Sequence, residues 1–299
     1  MSLKQLFRKG LERAGYTAMR LERYRTERAE LIEAKQNLQA LKSEVATLRM
    51  QLDAAAGTSP EQPGSGFYTA VFTYDGLHTD PRIIHNHDFM RDSRYVRAYK
   101  LGQEALGHDH KMFWRLHVAL WAAAHGAKLE GDFVECGVWR GFLSTAIMNY
   151  VDWPKLNKHF FLFDTFAGLD ERLLTEAERA NQQKLDHFKV FYTDCYEFVK
   201  QHFANYDRVQ VVKGTVPDTL TQAEIGKVSF LSIDMNCTQP EISAANFFWD
   251  KLVPGAIVLL DDYGFVSYEE QKQGFDAFAK QKQVEILALP TGQGVIIKN

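Results

Sequence analysis

The chain reads Gly131-Asp-Phe-Val-Glu-Cys-Gly-Val-Trp-Arg-Gly141 where its first predicted strand, Asp132–Cys136, passes into a helix. Glycine at position 137 lets backbone approach a ligand closely, and Gly141 lets the helix pack tightly. Dinucleotide-binding folds carry G-x-G-x-x-G at this point to hold a pyrophosphate on the helix N-terminus. Here an acid, Glu135, ends the strand instead, and a carboxylate suits the cationic amino group of an amino-acid ligand better than a phosphate.

Strands alternate with helices along the rest of the chain, which predicts a parallel sheet. The further predicted strands are His159–Phe163, Val209–Lys213, Val228–Ile233 and Ala256–Leu260, and the predicted helices are Lys111–Gly126, Gly141–Tyr150, Glu176–His202 with a break near Thr193, Leu220–Glu224, Ile242–Leu252 and Tyr268–Lys282. The last two strands, Val284–Leu289 and Gly294–Lys298, flank a short turn and are therefore antiparallel neighbours. An α/β sheet that is mostly parallel and ends in an antiparallel strand is characteristic of Rossmann-like methyltransferases that use S-adenosylmethionine.

Acidic residues follow four of the predicted strands: Glu135, Asp164, Asp234 and the pair Asp261-Asp262. Ligands of open α/β sheets bind outside the carboxyl ends of the strands, so these side chains should converge on one crevice. This arrangement predicts a nucleotide-like cofactor together with a divalent metal. Asp164 can accept hydrogen bonds from both ribose hydroxyls, or it can cap a helix that begins in residues 164–168.

Four segments resemble the macrocin O-methyltransferase family, in order and over residues 111–299. They are Gly131–Gly141, Phe163-Asp-Thr-Phe-Ala-Gly168, Ser232-Ile-Asp-Met-Asn236 and Leu252-Val-Pro-Gly-Ala-Ile-Val-Leu-Leu-Asp-Asp-Tyr-Gly264. The resemblance implies a class I methyltransferase fold, S-adenosylmethionine as cofactor, and a sugar hydroxyl of a natural product or surface polysaccharide as acceptor.

The resemblance also implies a set of site residues. Mg²⁺ is held in that family by the acid after the fourth strand and the two after the fifth, which here are Asp234, Asp261 and Asp262. The residues expected to bind the cofactor are Glu135, Gly137, Gly141, Ser144, Asp164, Gly214 and Thr215. Three carboxylates crowded together repel one another unless a cation neutralises them, and Mg²⁺ prefers such oxygen ligands. The alternative is that Asp261 caps a loop and Asp262 is solvated.

The sequence departs from the common family pattern at Asn236, where relatives often carry a second acid. No histidine follows His202, although relatives often have one near Tyr268 that assists deprotonation. Candidate catalytic bases are therefore Asp234 and Tyr268. The leading prediction is a metal-assisted O-methyltransferase. Two alternatives stay open: a catechol-type methyltransferase, and a non-catalytic scaffold carried on an oligomerising coil. The missing G-x-G-x-x-G disfavours an oxidoreductase.

The N-terminal third divides into four segments: residues 1–23, 24–56, 57–66 and 67–110. The first is basic and partly amphipathic, so it either lies on anionic lipid or is a solvated lead-in helix. The second has heptads with apolar positions from Tyr24 to Ala55, which favour a parallel coiled coil of two or three chains. The same helix could instead pack on its own domain or on a partner. A Gly/Pro/Ser-rich linker and an aromatic cap or lid follow.

Composition narrows the class of protein. Of the 299 residues, 45% are hydrophobic, which is ordinary for a globular chain. The net charge of −3 does not indicate a nucleic-acid-binding protein. The sequence contains no run of 18 apolar residues, so no membrane-spanning helix is predicted. The three cysteines have no zinc spacing, so we expect reduced thiols and a cytoplasmic protein, with peripheral contact at the inner membrane face if residues 1–23 bind lipid. The pairs His85/His87 and His108/His110 are more typical of surface loops than of a metal site.

Overall fold

The computed structural model describes residues 87–299. The predicted lead-in helix, coiled coil and linker, and residues 67–86 of the predicted cap, lie outside the described residues. Within them, seven strands form one sheet: β1 Asp132–Cys136, β2 Phe160–Asp164, β3 Val209–Lys213, β4 Val228–Ile233, β5 Leu252–Leu260, β6 Leu287–Ala288 and β7 Gly294–Ile297. The helices are α1 Ser93–Leu106, α2 Phe113–Gly126, α3 Phe142–Tyr150, α4 Glu176–Ala180, α5 Gln182–Phe191, α6 Tyr196–Phe203, α7 Thr238–Trp249 and α8 Glu269–Lys282.

The strand order is β3-β2-β1-β4-β5-β7-β6, with β1 to β5 parallel and β7 antiparallel to β5. The predicted sheet and its closing antiparallel strands are thereby confirmed. The chain direction across the sheet reverses between β1 and β4, and such a switch point leaves a crevice outside the carboxyl ends of the strands.

Each face of the sheet is covered by its own apolar cluster. One cluster combines β-strand side chains such as Phe133 and Phe230 with residues of α1, α2, α3 and α6. The other packs α7 and α8 against residues such as Phe163 and Val258. Helix α1 falls inside the predicted cap segment, yet its Tyr95 and Ala98 are buried in the first cluster. The function of residues 67–110 as a cap or lid stays a prediction.

Two local predictions are wrong. Residues 220–224 form turns instead of a helix, because the Leu220 and Gln222 amides bond carbonyls only three residues back. The few hydrogen bonds of such a short segment do not offset the unfavourable free energy of helix nucleation. The predicted strand Val284–Leu289 shrinks to Leu287–Ala288, which pairs with β7 alone at the sheet edge. No helix in residues 87–299 combines the length and apolar character needed to cross a bilayer.

Candidate active site

A cavity of about 830 Å³ opens at the carboxyl ends of the parallel strands. Eight of the eleven predicted site residues line it: Glu135, Gly137, Asp164, Gly214, Thr215, Asp234, Asp261 and Tyr268. The other three, Gly141, Ser144 and Asp262, lie behind this surface. The residues that the sequence placed at separate strand ends thus meet in one crevice, as the topology requires.

The loop after β1 passes very close to the end of β4. Gly137 has φ +95°, and a Cβ at this position would lie 1.7 Å from the Asp234 carbonyl oxygen. No L-residue fits such a gap, so glycine is required for the two strand ends to approach. Gly141 has φ +85°, and a Cβ there would meet the Phe203 ring at 2.7 Å. Its absent side chain lets α3 pack against α6.

Asp164 holds this loop in place. One of its carboxylate oxygens accepts hydrogen bonds from the Val138 and Trp139 amides at 2.6 and 2.7 Å. The other accepts from the Phe166 amide at 2.6 Å and the Thr165 hydroxyl at 3.3 Å. These four bonds match the acceptor capacity of a carboxylate. The bonds from Val138 and Trp139 support a role in fixing the loop after β1, and those from Thr165 and Phe166 cap the turn after β2. Contact with a ribose stays a prediction.

Glu135 is the buried acid at the bottom of the crevice. Its side chain is 2% exposed, and Oε2 has no hydrogen-bond partner among the described residues. Burial raises the pKa of Glu135 well above its ordinary value; the Ser144 hydroxyl partly offsets this, and the charges of Asp164 and Asp261 add to it. A buried carboxylate oxygen without a partner is costly unless a ligand supplies one. The residues therefore fit the ammonium group of S-adenosylmethionine.

Asp234, Asp261 and Asp262 form the second part of the site, which we call the acid trio. Each offers a carboxylate oxygen, and these oxygens all lie within 4.8 Å of one another. Burial and the two neighbouring carboxylates raise the pKa of Asp234 well above its ordinary value. Burial likewise raises the pKa of Asp262 to about 6. Both shifts express first the cost of burying a carboxylate and then the repulsion between like charges, and a divalent cation would relieve both.

Arg115 on α2 contacts the acid trio, although the sequence did not mark it as a site residue. It is 3% exposed, and its guanidinium donates to the carboxylate of Asp261 and, at 3.0 Å, to the carbonyl of the same residue. Asp262 Oδ1 lies 3.5 Å away. Three carboxylates and one guanidinium leave a formal charge of about −2, which matches a divalent cation. One feature of the sequence could have pointed to Arg115, because it is the sole arginine or lysine of α2.

Asn236 links the acid trio to Tyr268. The Tyr268 hydroxyl donates to Asn236 Oδ1 at 2.7 Å, and Asn236 Nδ2 donates to Asp234 Oδ1 at 3.2 Å. The amide can therefore donate to Asp234, which an ionised acid at this position could not do. The Tyr268 hydroxyl is thus engaged with Asn236, and its role as a base stays a prediction.

The family model described as macrocin-O-methyltransferase matches residues 108–287. The chain belongs to this family. Among curated proteins it is 26% identical over 143 residues to "8-demethyl-8-(2,3-dimethoxy-alpha-L-rhamnosyl)-tetracenomycin-C 4'-O-methyltransferase" of Streptomyces olivaceus, covering 45% of this chain and 54% of that protein. It is 28% identical over 147 residues to "Demethyldecarbamoylnovobiocin O-methyltransferase" of Streptomyces niveus, covering 46% and 55%. The chain therefore spans about half the length of these relatives.

A solved structure shares the fold of this chain. The structure of the O-methyltransferase NovP superposes with a TM-score of 0.55 at 20% identity, covering 67% of this chain and 88% of that one. At this identity the likeness concerns the fold alone.

In this macrocin O-methyltransferase family member, aromatic rings build part of the crevice wall. Trp139, from the loop after β1, packs on Phe191 of α5 with ring centroids 4.7 Å apart. His108 and His110 lie 2.8 Å apart through their Nε2 atoms, and the His110 ring packs on Phe191 at 5.6 Å. Among residues 87–299 only the acid trio groups three potential metal ligands. The His110 ring thus joins the aromatic wall of the crevice, with the His108 ring packed beside it.

Glu241 lies behind the acid trio and predicts a pH effect on stability. Its Oε1 accepts from the Met235 amide at 2.9 Å and from Gln271 at 2.8 Å, and burial raises its pKa to about 8. The raised value means that unfolding releases a proton between about pH 4.5 and 8, so the unfolding free energy falls as pH rises through this window. We expect Glu241→Gln to remove that fall and to stabilise the protein more at pH 8 than at pH 5.

Chemical denaturation in the presence of a chelator, at several pH values, measures this effect. Glu224→Gln, at an exposed glutamate, is the matched control and should leave the pH dependence unchanged. An equal change in unfolding free energy at pH 5 and pH 8 for Glu241→Gln would contradict a buried, protonated carboxyl.

Proposed function

We propose that the protein is an S-adenosylmethionine-dependent O-methyltransferase whose acceptor is a sugar hydroxyl of a glycosylated natural product or glycan. The observation that carries the proposal is the meeting, in one crevice, of the acid trio and the buried Glu135 carboxylate, whose Oε2 has no partner among the described residues. The Glu135 carboxylate suits a cationic amino-acid group, and the acid trio suits a metal cation beside an oxygen-rich acceptor.

The protein's own residues chiefly align and desolvate the reactants. The cofactor, when bound, supplies a methyl group activated by its positively charged sulfur. Glu135 would pair with the ammonium group of the cofactor. The glycine-containing loop that Asp164 holds would leave room for the cofactor beside it. Gly214 and Thr215 line the crevice beyond β3. Alignment of two reactants accounts for a large part of the rate of such a displacement.

The acid trio would hold Mg²⁺, with Arg115 balancing the remaining negative charge. The cation would orient neighbouring hydroxyls of the acceptor and lower their pKa. Hard oxygen ligands with room for acceptor oxygens favour Mg²⁺ over softer metals.

A sugar hydroxyl is favoured over a catechol because the names of both curated relatives describe O-methyltransferases of natural products, and one specifies a rhamnosyl substrate. Vicinal hydroxyls of a rhamnoside can bind a metal as a catechol does. We further propose that residues 24–56 join two or three chains, and that residues 1–23 bring the enzyme to anionic lipid. Light scattering of the full chain and vesicle co-sedimentation test these two points separately.

Calorimetric titration of S-adenosylhomocysteine into the full chain tests the cofactor site. We expect Glu135→Gln to weaken binding by roughly 10- to 100-fold, because a hydrogen bond to a charged group contributes about 1.5–3 kcal/mol. Glu224→Gln, remote from the crevice, is the matched control. Absence of binding to the unaltered protein, with and without Mg²⁺, would overturn the methyltransferase proposal and favour a scaffold function.

A further inference from the structure

Lys184 is the single lysine among the described residues that line the crevice. It lies in the first turn of α5, where the Asn181 side chain caps the helix by accepting from the Lys184 amide at 3.1 Å. Helix α5 belongs to the segment inserted between β2 and β3, so this lysine is brought to the site by a part of the chain that contributes no sheet strand. Neither the family comparison nor the sequence pattern assigned it a role.

The Lys184 ammonium lies against the residues that follow the acid pair. Nζ is 3.2 Å from the centroid of the Tyr268 ring and donates to the Ser267 carbonyl at 3.2 Å. Tyr268 in turn is joined through Asn236 to Asp234. Lys184 is thereby fixed on the acid-trio side of the crevice, where a hydroxylated acceptor would approach the methyl group.

The surroundings favour the neutral amine more than those of a surface lysine do. Burial lowers the pKa of Lys184, although nearby acids, the Tyr268 ring and the Ser267 carbonyl act in the opposite direction. The position at a helix N-terminus also disfavours a cation. The titratable groups that face it are Asp262, Glu178, Glu241, Cys237, Glu269 and Tyr268.

Of the two bases predicted from the sequence, Asp234 belongs to the acid trio that would hold the metal. The Tyr268 hydroxyl donates a hydrogen bond to Asn236, whose amide carries no basic atom. The two histidines that line the crevice, His110 and His187, pack on Phe191 with ring centroids 5.6 and 5.5 Å away. They therefore belong to the aromatic wall beside the loop after β1.

We propose that the Lys184 amine accepts the proton of the acceptor hydroxyl during methyl transfer. As the acceptor oxygen bonds to the methyl carbon, the O–H proton passes to Nζ and the carbon–sulfur bond breaks with its electron pair kept by sulfur. A sulfonium and a neutral amine thus become a thioether and an ammonium, and charge balances. The inference rests on the proposed function and adds the residue that replaces the missing histidine.

The first test measures the amine itself and needs no acceptor. The full chain is pulse-labelled with acetic anhydride across a pH series, and each lysine is quantified by peptide mass spectrometry. Lys189 of the same helix, which is exposed and paired with Glu171 at 2.7 Å, is the internal control. We expect the Lys184 labelling midpoint to lie at lower pH than that of Lys189. A midpoint at or above that of Lys189 would overturn the proposal.

The second test measures turnover with S-adenosylmethionine and methylumbelliferyl α-L-rhamnoside. In the unaltered protein, kcat should rise with pH as the Lys184 amine loses its proton. Lys184→Met should remove this rise and lower kcat by about 100-fold or more, while S-adenosylhomocysteine binds as before. Lys189→Met should change neither quantity. Unchanged kcat and pH profile in Lys184→Met would overturn the assignment. If the unaltered enzyme methylates catechol but not this rhamnoside, the sugar acceptor is at fault, and the same comparison of Lys184→Met with Lys189→Met is made with catechol.

Discussion

Gly137→Ala should abolish binding of S-adenosylhomocysteine and destabilise the protein by at least about 3 kcal/mol, since backbone strain and overpacking act together. The new methyl group would lie 1.7 Å from the Asp234 carbonyl oxygen, at a backbone φ of +95°. Relief of this contact requires β1 and β4 to separate at the point where the crevice forms. Chemical denaturation and calorimetric titration measure the two effects.

Gly226→Ala is the matched control for this substitution. No atom lies within 4 Å of a Cβ at Gly226. We therefore expect the unfolding free energy to change by no more than about 0.5 kcal/mol and ligand binding to be unaffected. A stable Gly137→Ala protein with normal affinity would show that the loop after β1 does not approach β4 as described.

Asp234→Asn should eliminate the divalent-cation site and lower methyl transfer by more than 100-fold. The reason is that loss even of a residue that supports a metal ligand costs about 10- to 100-fold in affinity or activity, and Asp234 would be a direct ligand. Its carboxylate is one of three whose oxygens lie within 4.8 Å. Titration with Mn²⁺, a substitute for Mg²⁺ that is visible by electron paramagnetic resonance, measures binding without turnover.

Asp250→Asn, at the exposed end of α7, controls for the loss of one negative charge. It should leave both Mn²⁺ affinity and turnover unchanged. An Asp234→Asn protein that binds Mn²⁺ like the unaltered protein would contradict the metal role of the acid trio. Arg115 would then be the sole counter-charge that the site needs.

The sheet could be predicted from the sequence where strands are short, apolar and bounded by turn signals. Asp132–Cys136, Val209–Lys213 and Val228–Ile233 have the predicted bounds, because local pattern and burial agree in them. Residues 220–224 lack that agreement: their apolar spacing suited a helix, but the chain closes three-residue turns there.

The crevice could be predicted through topology, since parallel strands bring Glu135, Asp164 and the acid trio to one edge. Partners that come from other elements could not be predicted. Arg115 reaches the acid trio from α2, and Lys184 reaches Tyr268 from the insert between β2 and β3. A sequence pattern shows which face of a helix is apolar but not which charged side chain will be buried against a distant loop.

The central claim is tested most directly by transfer of an isotope-labelled methyl group from S-adenosylmethionine to methylumbelliferyl α-L-rhamnoside, run beside catechol and with Mg²⁺ or a chelator. We predict label on a sugar hydroxyl, lost on chelation and in the Glu135→Gln and Asp234→Asn proteins. Label on catechol alone would contradict the sugar acceptor. Binding of S-adenosylhomocysteine without label in either acceptor would contradict the enzymatic account itself.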